Sequence, residues 1–153
     1  MWPFKKQTKK SPPPTAKSIL CIPGKWKDFE EFLGSLIVSS GASYMVVGDI
    51  LINGKNKRHY SIEFCERDSR MKDSFRVAGR VTGMSEEIVE EIGEHSYVVY
   101  ISGETGSLDE AENIAQAGMA ILNAGGIALK IETTGKAFSK DRWLDFMKNF
   151  EPE

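Results

Sequence analysis

Arg67, Arg70, His95 and Glu104 are the side chains of this chain whose types suit a reaction. Two guanidinium groups would grip a carboxylate or phosphate, but the reading preferred for Arg67 and Arg70 is structural, bidentate pairs with Glu63, Glu66 or Asp68 that fix this corner. A pocket between the 66–71 corner and the 103–107 turn would bring the four together, as in a small enzyme or ligand-binding domain. The other reactive types are poorly spaced. His59 and Cys65 share a strand face but stand six positions apart, roughly 20 Å along a strand, too far for a Cys–His dyad. With two histidines in all, a multi-histidine metal site would need carboxylates to complete it, and Glu86 to Glu94 lack the glycine-kinked alternation of a calcium loop. Gly103-Glu104-Thr105-Gly106-Ser107 occupies the position of a phosphate loop, after a strand and before a helix. It has no lysine, and Glu104, Asp109 and Glu110 would repel a phosphate, so a helix-capping turn is expected there. No cofactor or metal is expected.

Charge is the other candidate carrier of function. From Val81 to Leu129 there are nine carboxylates and no Lys or Arg, whereas Asn53 to Arg80 holds eight basic residues against four acidic ones. Such segregation steers oppositely charged partners and repels like ones. Glu87, Glu90, Glu91, Glu94 and Glu104 would meet Lys or Arg on a basic protein, with Tyr97 or Tyr100 as aromatic anchors if exposed. The association rate would then be salt-sensitive and lowered by charge reversal at Glu90 and Glu91. Nucleic acid is not expected as a partner: without residues 1–17 the chain sums to −7, and no nucleic-acid-binding motif occurs.

The elements that must position these residues follow from periodicity. Residues 1–17, with five lysines, no acid and Pro12-Pro13-Pro14, read as a flexible basic tail. Trp2 and Phe4 beside the lysines offer a thin anchor for an anionic membrane surface, a contact the tail's composition supports only weakly. Residues 18–150 form a single α+β domain. Ser18–Ile22 is a strand stopped by Pro23-Gly24; Trp26, Phe29, Phe32, Leu33, Leu36 and Ile37 mark an amphipathic helix. Tyr44–Ile52 and Arg58–Glu66 form a hairpin around Asn53-Gly54, whose residues tolerate positive φ. In its return strand, Tyr60, Ile62 and Phe64 share one face. His59, Ser61, Glu63 and Cys65 share the other, a polar face turned to solvent or to an interface. Helices follow over 68–78 and from Ser85 to Ile92. The strand 96–102, a capped helix whose buried side is Leu108, Ala111, Ala115, Met119 and Leu122, and the strand 127–133 form a βαβ crossover with parallel strands. Ser139 caps a last helix bearing Trp143, Phe146, Met147 and Phe150. The expectation is a mixed sheet of about five strands with helices mainly on one face. Cys21 and Cys65 are expected as reduced thiols of a cytoplasmic protein, able to pair only if strands 19–22 and 59–66 are neighbours. No apolar run of spanning length is present.

The stretches 66–71 (ERDSRM), 95–107 (HSYVVYISGETGS) and 121–143 (ILNAGGIALKIETTGKAFSKDRW) resemble a family of small bacterial proteins of unknown function. Its genes occur beside polymorphic-toxin and secretion-system genes, and the likeness covers most of residues 18–148. The resemblance implies a bacterial cytoplasmic protein that neutralises a toxin or effector, an immunity-type role. It supplies no catalytic motif and no residue assignments. A non-enzymatic protein-binding domain is therefore the leading expectation, ahead of the small enzyme.

Overall fold

The computed structural model of the chain describes residues 16–149; residues 1–15 of the expected tail, with Trp2 and Phe4, and Phe150 lie outside the described residues, while Lys17, expected in the tail, begins a strand paired with Glu104. The strands are β1 (Lys17–Gly24), β2 (Tyr44–Val47), β3 (Ile50–Asn53), β4 (His59–Glu66), β5 (Tyr97–Glu104), β6 (Ala128–Ile131) and β7 (Lys136–Ser139). The helices are α1 (Phe29–Ser39), α2 (Met71–Ala78), α3 (Glu86–Ile92), α4 (Leu108–Asn123) and α5 (Lys140–Lys148). All seven strands join one sheet in the order β2-β3-β4-β5-β1-β6-β7, antiparallel at every pairing. The chain is thus a single α+β domain, as its periodicities predict.

Three features differ from expectation, each for a physical reason. The sheet is antiparallel rather than mixed because β1 lies between β5 and β6 and runs against both. The β5-α4-β6 crossover does return parallel in direction, but it skips one strand. β1 takes this interior place between β5 and β6 because it is apolar on both sides: Leu20 and Ile22 enter one core cluster and Cys21 the other. There are seven strands rather than five because Gly48, at φ +62°, folds the run 44–52 back on itself and because Lys136–Ser139 pairs with β6. Between β3 and β4 the left-handed residue is Lys57 (φ 66°), and the Asn53 side chain accepts the Lys55 N–H, so Asn53-Gly54 begins a longer loop instead of closing a two-residue turn.

Helices cover both faces, unequally. On the first face α1, α4 and α5 bury Phe32, Leu36, Ile114, Ile121 and Trp143 against Leu20, Ile22, Tyr60, Ile62, Val99, Ile101 and Leu129. The indole N–H groups of Trp26 and Trp143 donate to Ala124 O (2.8 Å) and Ala115 O (3.0 Å), tying β1 and α5 to α4. Leu108, expected on the buried side of α4, is 66% exposed: the helix turns Ile114, Ala117 and Ile121 inward instead. Gly118 is where α4 comes closest to the sheet. A Cβ there would lie 2.8 Å from Leu129 Cδ1 and 3.0 Å from Leu20 Cδ1. On the second face, α2 and α3 cover Cys21, Val98, Ala128 and Ala137 with Met71, Phe75, Ala78 and Ile92, and Tyr100 packs partly against the same cluster. The rest of that face has no helix over it among the described residues.

The caps at Ser107 and Ser139 are those the sequence predicts, and Asp28 and Ser85 cap two further helices. Ser107 and Glu110 form a reciprocal capping box on α4, and Asp28, Ser85 and Ser139 cap α1, α3 and α5 through N–H bonds from Glu31, Ile88 and Arg142.

The close approach at Gly118 is expected to separate two otherwise similar substitutions in urea or thermal unfolding. Gly118→Ala should cost about 1–3 kcal/mol by overpacking. Gly34→Ala, in mid-α1 with nothing within 4 Å of the added Cβ, should gain up to about 1 kcal/mol. Equal effects at the two sites would contradict this packing.

Candidate functional site

His95 is 2% exposed and saturated. Its Nδ1 lies 2.7 Å from Ile92 O and therefore carries the proton, while Nε2 accepts the Asp68 N–H at 3.1 Å. Arg67 Nη1 donates to His95 O at 2.8 Å. Arg70 grips Asp68 with Nε–Oδ1 and Nη2–Oδ2 both at 3.0 Å, the bidentate form, and holds that carboxyl below its ordinary range. Glu104 stands at the far end of β5, about 23 Å along the strand from Tyr97. The expected pocket of Arg67, Arg70, His95 and Glu104 is thus not assembled. Three of its members lock the corner between β4 and α2, and the fourth is elsewhere.

The carboxylates of α3 are not a bare acidic surface either. Glu86 pairs with Arg76 (2.6 Å), Glu90 with Lys72 (3.0 Å) and Arg76 (3.8 Å), and Glu91 and Glu94 with Lys25 (3.6 and 3.4 Å). Those basic residues come from α2 and the end of β1. They account for the crowding of like charges on α3, which would otherwise destabilise it. Pairing at these distances cancels much of the local field. Glu87 is exposed and makes no ion pair among the described residues. Beyond the sheet's other side, Asp109 at the start of α4 pairs with Arg58. The single landing site imagined for the acid-only stretch is therefore split by the sheet and partly neutralised, four bases pairing with members of a set of nine carboxylates. Tyr97 belongs to the interior of the first face, stacked on Phe64 with ring centroids 4.5 Å apart.

Tyr100 and Glu104 remain, and the pleat puts both on the second, half-bare face. Cross-strand register sets its rows. Glu63, Tyr100, Cys21 and Lys130 stand side by side on β4, β5, β1 and β6. In the next row are Val47, Ile50, Ser61, Ser102 and Ile19, with Glu132 bonded to Ile19 O at the end. Helix α2 reaches the first row at Cys21, Tyr100 and Lys130 through Met71, Ser74 and Phe75, and the second row has no helix over it among the described residues. Val47, Met45 and Ile19 are accordingly exposed by 57%, 45% and 41%. Three shallow cavities run together across this face and share lining residues. One of about 560 Å³ includes His59, Ser61, Ser102 and Glu104. One of about 380 Å³ includes Ile19, Glu63 and Tyr100. One of about 320 Å³ lies under Arg70, Ser74 and Lys130.

The electrostatics of the trough are mixed. Lys130, its side chain 13% exposed, sits 5.6 Å from the Phe75 ring centre, donates to Ser74 Oγ and pairs with Glu132 at 3.4 Å. Glu63 and Glu104 make no ion pair among the described residues. Burial raises the Tyr100 phenol well above its ordinary value, with Cys21 and Glu132 adding to the shift, so it stays neutral. Burial also pushes the Cys21 thiol up to about 12 and raises Cys65, leaving both protonated and poorly nucleophilic at neutral pH. The two cysteines are free, and β5 lies between their strands, so they are not neighbours. No cysteine or hydroxyl side chain is hydrogen-bonded to a histidine among the described residues. No group of three or more His, Cys, Asp or Glu there is placed to hold a metal ion.

Sequence reading singled out Tyr100 and Glu104 but passed over Ile19, Ser61, Ser102, Lys130 and Glu132 as a site. The signal for half of it was present: His59, Ser61, Glu63 and Cys65 alternate as a polar strand face in the sequence itself. What joins that face to Ile19 and Glu132 is strand order, which no local pattern carries. Comparisons of the chain with protein-family models, curated proteins and solved structures find no match.

His95 gives a pH test of the corner beside the trough. Burial lowers its folded pKa below the ordinary 6.5. Above pH 6.5 its contribution to stability is complete. As pH falls below 6.5 the unfolded chain takes up a proton that the folded chain resists, and stability declines until the folded pKa is reached. His95→Ala is expected to cost about 2 kcal/mol, since it strands the Asp68 N–H and Ile92 O, and to flatten that part of the stability–pH curve. An unchanged curve in chemical unfolding between pH 7 and 5 would contradict this assignment.

Proposed function

We propose that this chain is a non-enzymatic protein-binding domain of immunity type, which neutralises a basic toxin or effector in the bacterial cytoplasm by docking it on the half-bare sheet face. The observation that carries the reading is that face. It is a broad, shallow surface combining exposed apolar side chains, an aromatic residue near its centre and carboxylates without ion-pair partners among the described residues. Partly exposed apolar residues flank it, Met45 and Val47 on the edge strand and Ile19 four strands away, and apolar surface rimmed by polar groups is a mark of association surfaces. The resemblance to toxin-associated proteins supplies the kind of partner, and Glu63 and Glu104 supply the reason it would be basic. No described helix is long and apolar enough to cross a membrane, which fits a partner met in solution. The enzyme alternative has lost its pocket, because Arg67, Arg70 and His95 are engaged in the corner and Glu104 is at the other end of β5.

Docking here differs from docking on α3 in what mutation does. With the bound protein identified by copurification from the native host and the two proteins purified, Ser102→Trp is expected to weaken binding at least a hundredfold by filling the middle of the face. Glu63→Lys with Glu104→Lys should slow association about tenfold at low salt. Glu90→Lys with Glu91→Lys should change affinity less than threefold. Co-expression with the partner should relieve its toxicity for the unmodified chain and not for Ser102→Trp. If the α3 reversals weaken binding and Ser102→Trp does not, the sheet face is the wrong surface.

A further inference from the structure

We infer that the cavity beside Tyr100 is a seat for one arginine side chain of the partner, with Glu63 as its ion-pair acceptor. This rests on the docking reading above and names the partner's contact chemistry.

The cavity of about 380 Å³ is lined by Ile19, Ser61, Glu63, Tyr100, Ser102 and Glu132. Its charged lining is acidic on both sides, so an anion would be repelled and a cation favoured. The two carboxylates are not equivalent. Glu132 already holds Lys130 at 3.4 Å, whereas Glu63 has no ion pair among the described residues and keeps all its acceptor sites for a visitor. Glu63 and Glu132 stand on β4 and just beyond β6, three strand spacings apart or about 14 Å, too far for one guanidinium to bridge. Glu132 therefore contributes its field and Glu63 the direct contact. The remaining lining suits arginine over lysine. Tyr100 offers a ring on which a flat guanidinium stacks, and the Ser61 and Ser102 hydroxyls accept further N–H donors from the planar fork. Ile19, 41% exposed, gives the methylene stem an apolar wall. The Tyr100 phenol is neutral, so it neither adds charge nor repels the visitor.

The test uses the full chain and two small probes, N-acetyl-arginine amide and its uncharged near-isostere N-acetyl-citrulline amide, titrated by amide NMR. Saturating shifts confined to residues 61–63 and 100–102, with citrulline at least tenfold weaker, are expected. Glu63→Gln should weaken the arginine probe about tenfold, Glu132→Gln about threefold, and Tyr100→Ala should abolish binding, while Glu87→Gln on α3 leaves it unchanged. Spectra that match elsewhere show that each variant is folded. Equal binding of citrulline, shifts centred on residues 86–94, or indifference to Glu63→Gln would overturn the seat. So would concentration-dependent dimerisation that Tyr100→Ala removes, which would put a second copy of the chain on this face. The two proposals fail separately. A partner lost on Ser102→Trp yet indifferent to Glu63→Gln overturns the arginine seat alone. Arginine binding at Tyr100 with a partner indifferent to Ser102→Trp overturns the docking reading.

Discussion

A seven-stranded sheet is about 29 Å wide, and the two helices on its second face are eight and seven residues long, some 12 and 10 Å. Coverage is therefore incomplete as a matter of dimensions. Across the first face, helices of 11, 16 and 9 residues close a core that holds Phe32, Ile121 and Trp143. On the second, α2 and α3 shield Cys21, Val98, Ala128 and Ala137 and leave the neighbouring rows to solvent. Composition follows coverage. Under the helices most strand residues are small or apolar, and beyond them Ser61, Glu63, Ser102 and Glu104 appear, while Ile19, Met45, Val47, Ile50 and Ile52 stay apolar.

The ionic groups near α2 and α3 serve the same division of the face. Lys25, Lys72 and Arg76 hold the carboxylates of α3 in solvent-screened pairs that add little to stability. Their larger effect is to keep the helix pair compact over its patch of core and to quiet its charge. Arg70 and Asp68, with His95 beneath, fix the turn from β4 into α2. That corner sets how far α2 reaches over Tyr100. The residues that looked most like catalytic groups thus act at one remove, by positioning the wall of the trough.

Local structure was legible in the sequence to a large extent. The caps at Ser107 and Ser139, the helix of Met71, Phe75 and Ala78, and the alternation of β4 all rest on contacts within a few residues. Three things were not legible, because they depend on distant partners. The insertion of β1 between β5 and β6 converts a parallel crossover into an antiparallel sheet without altering either strand's own pattern. The pairing of Lys25 and Arg76 with α3 offsets part of the charge of an acid-only stretch although neither residue lies within it. The fold at Gly48 and the four-residue β7 are too short to show a period. Half of the candidate site, His59 to Cys65, was visible as a polar strand face; the half on β1 and beyond β6 waited on topology.

Amide hydrogen exchange of the chain alone and saturated with its purified partner tests the central claim most directly. Protection concentrated in residues 59–66 and 97–104 is the result expected if the partner covers the bare rows of the sheet. Protection confined to residues 86–94, with β4 and β5 exchanging as in the isolated chain, would contradict it.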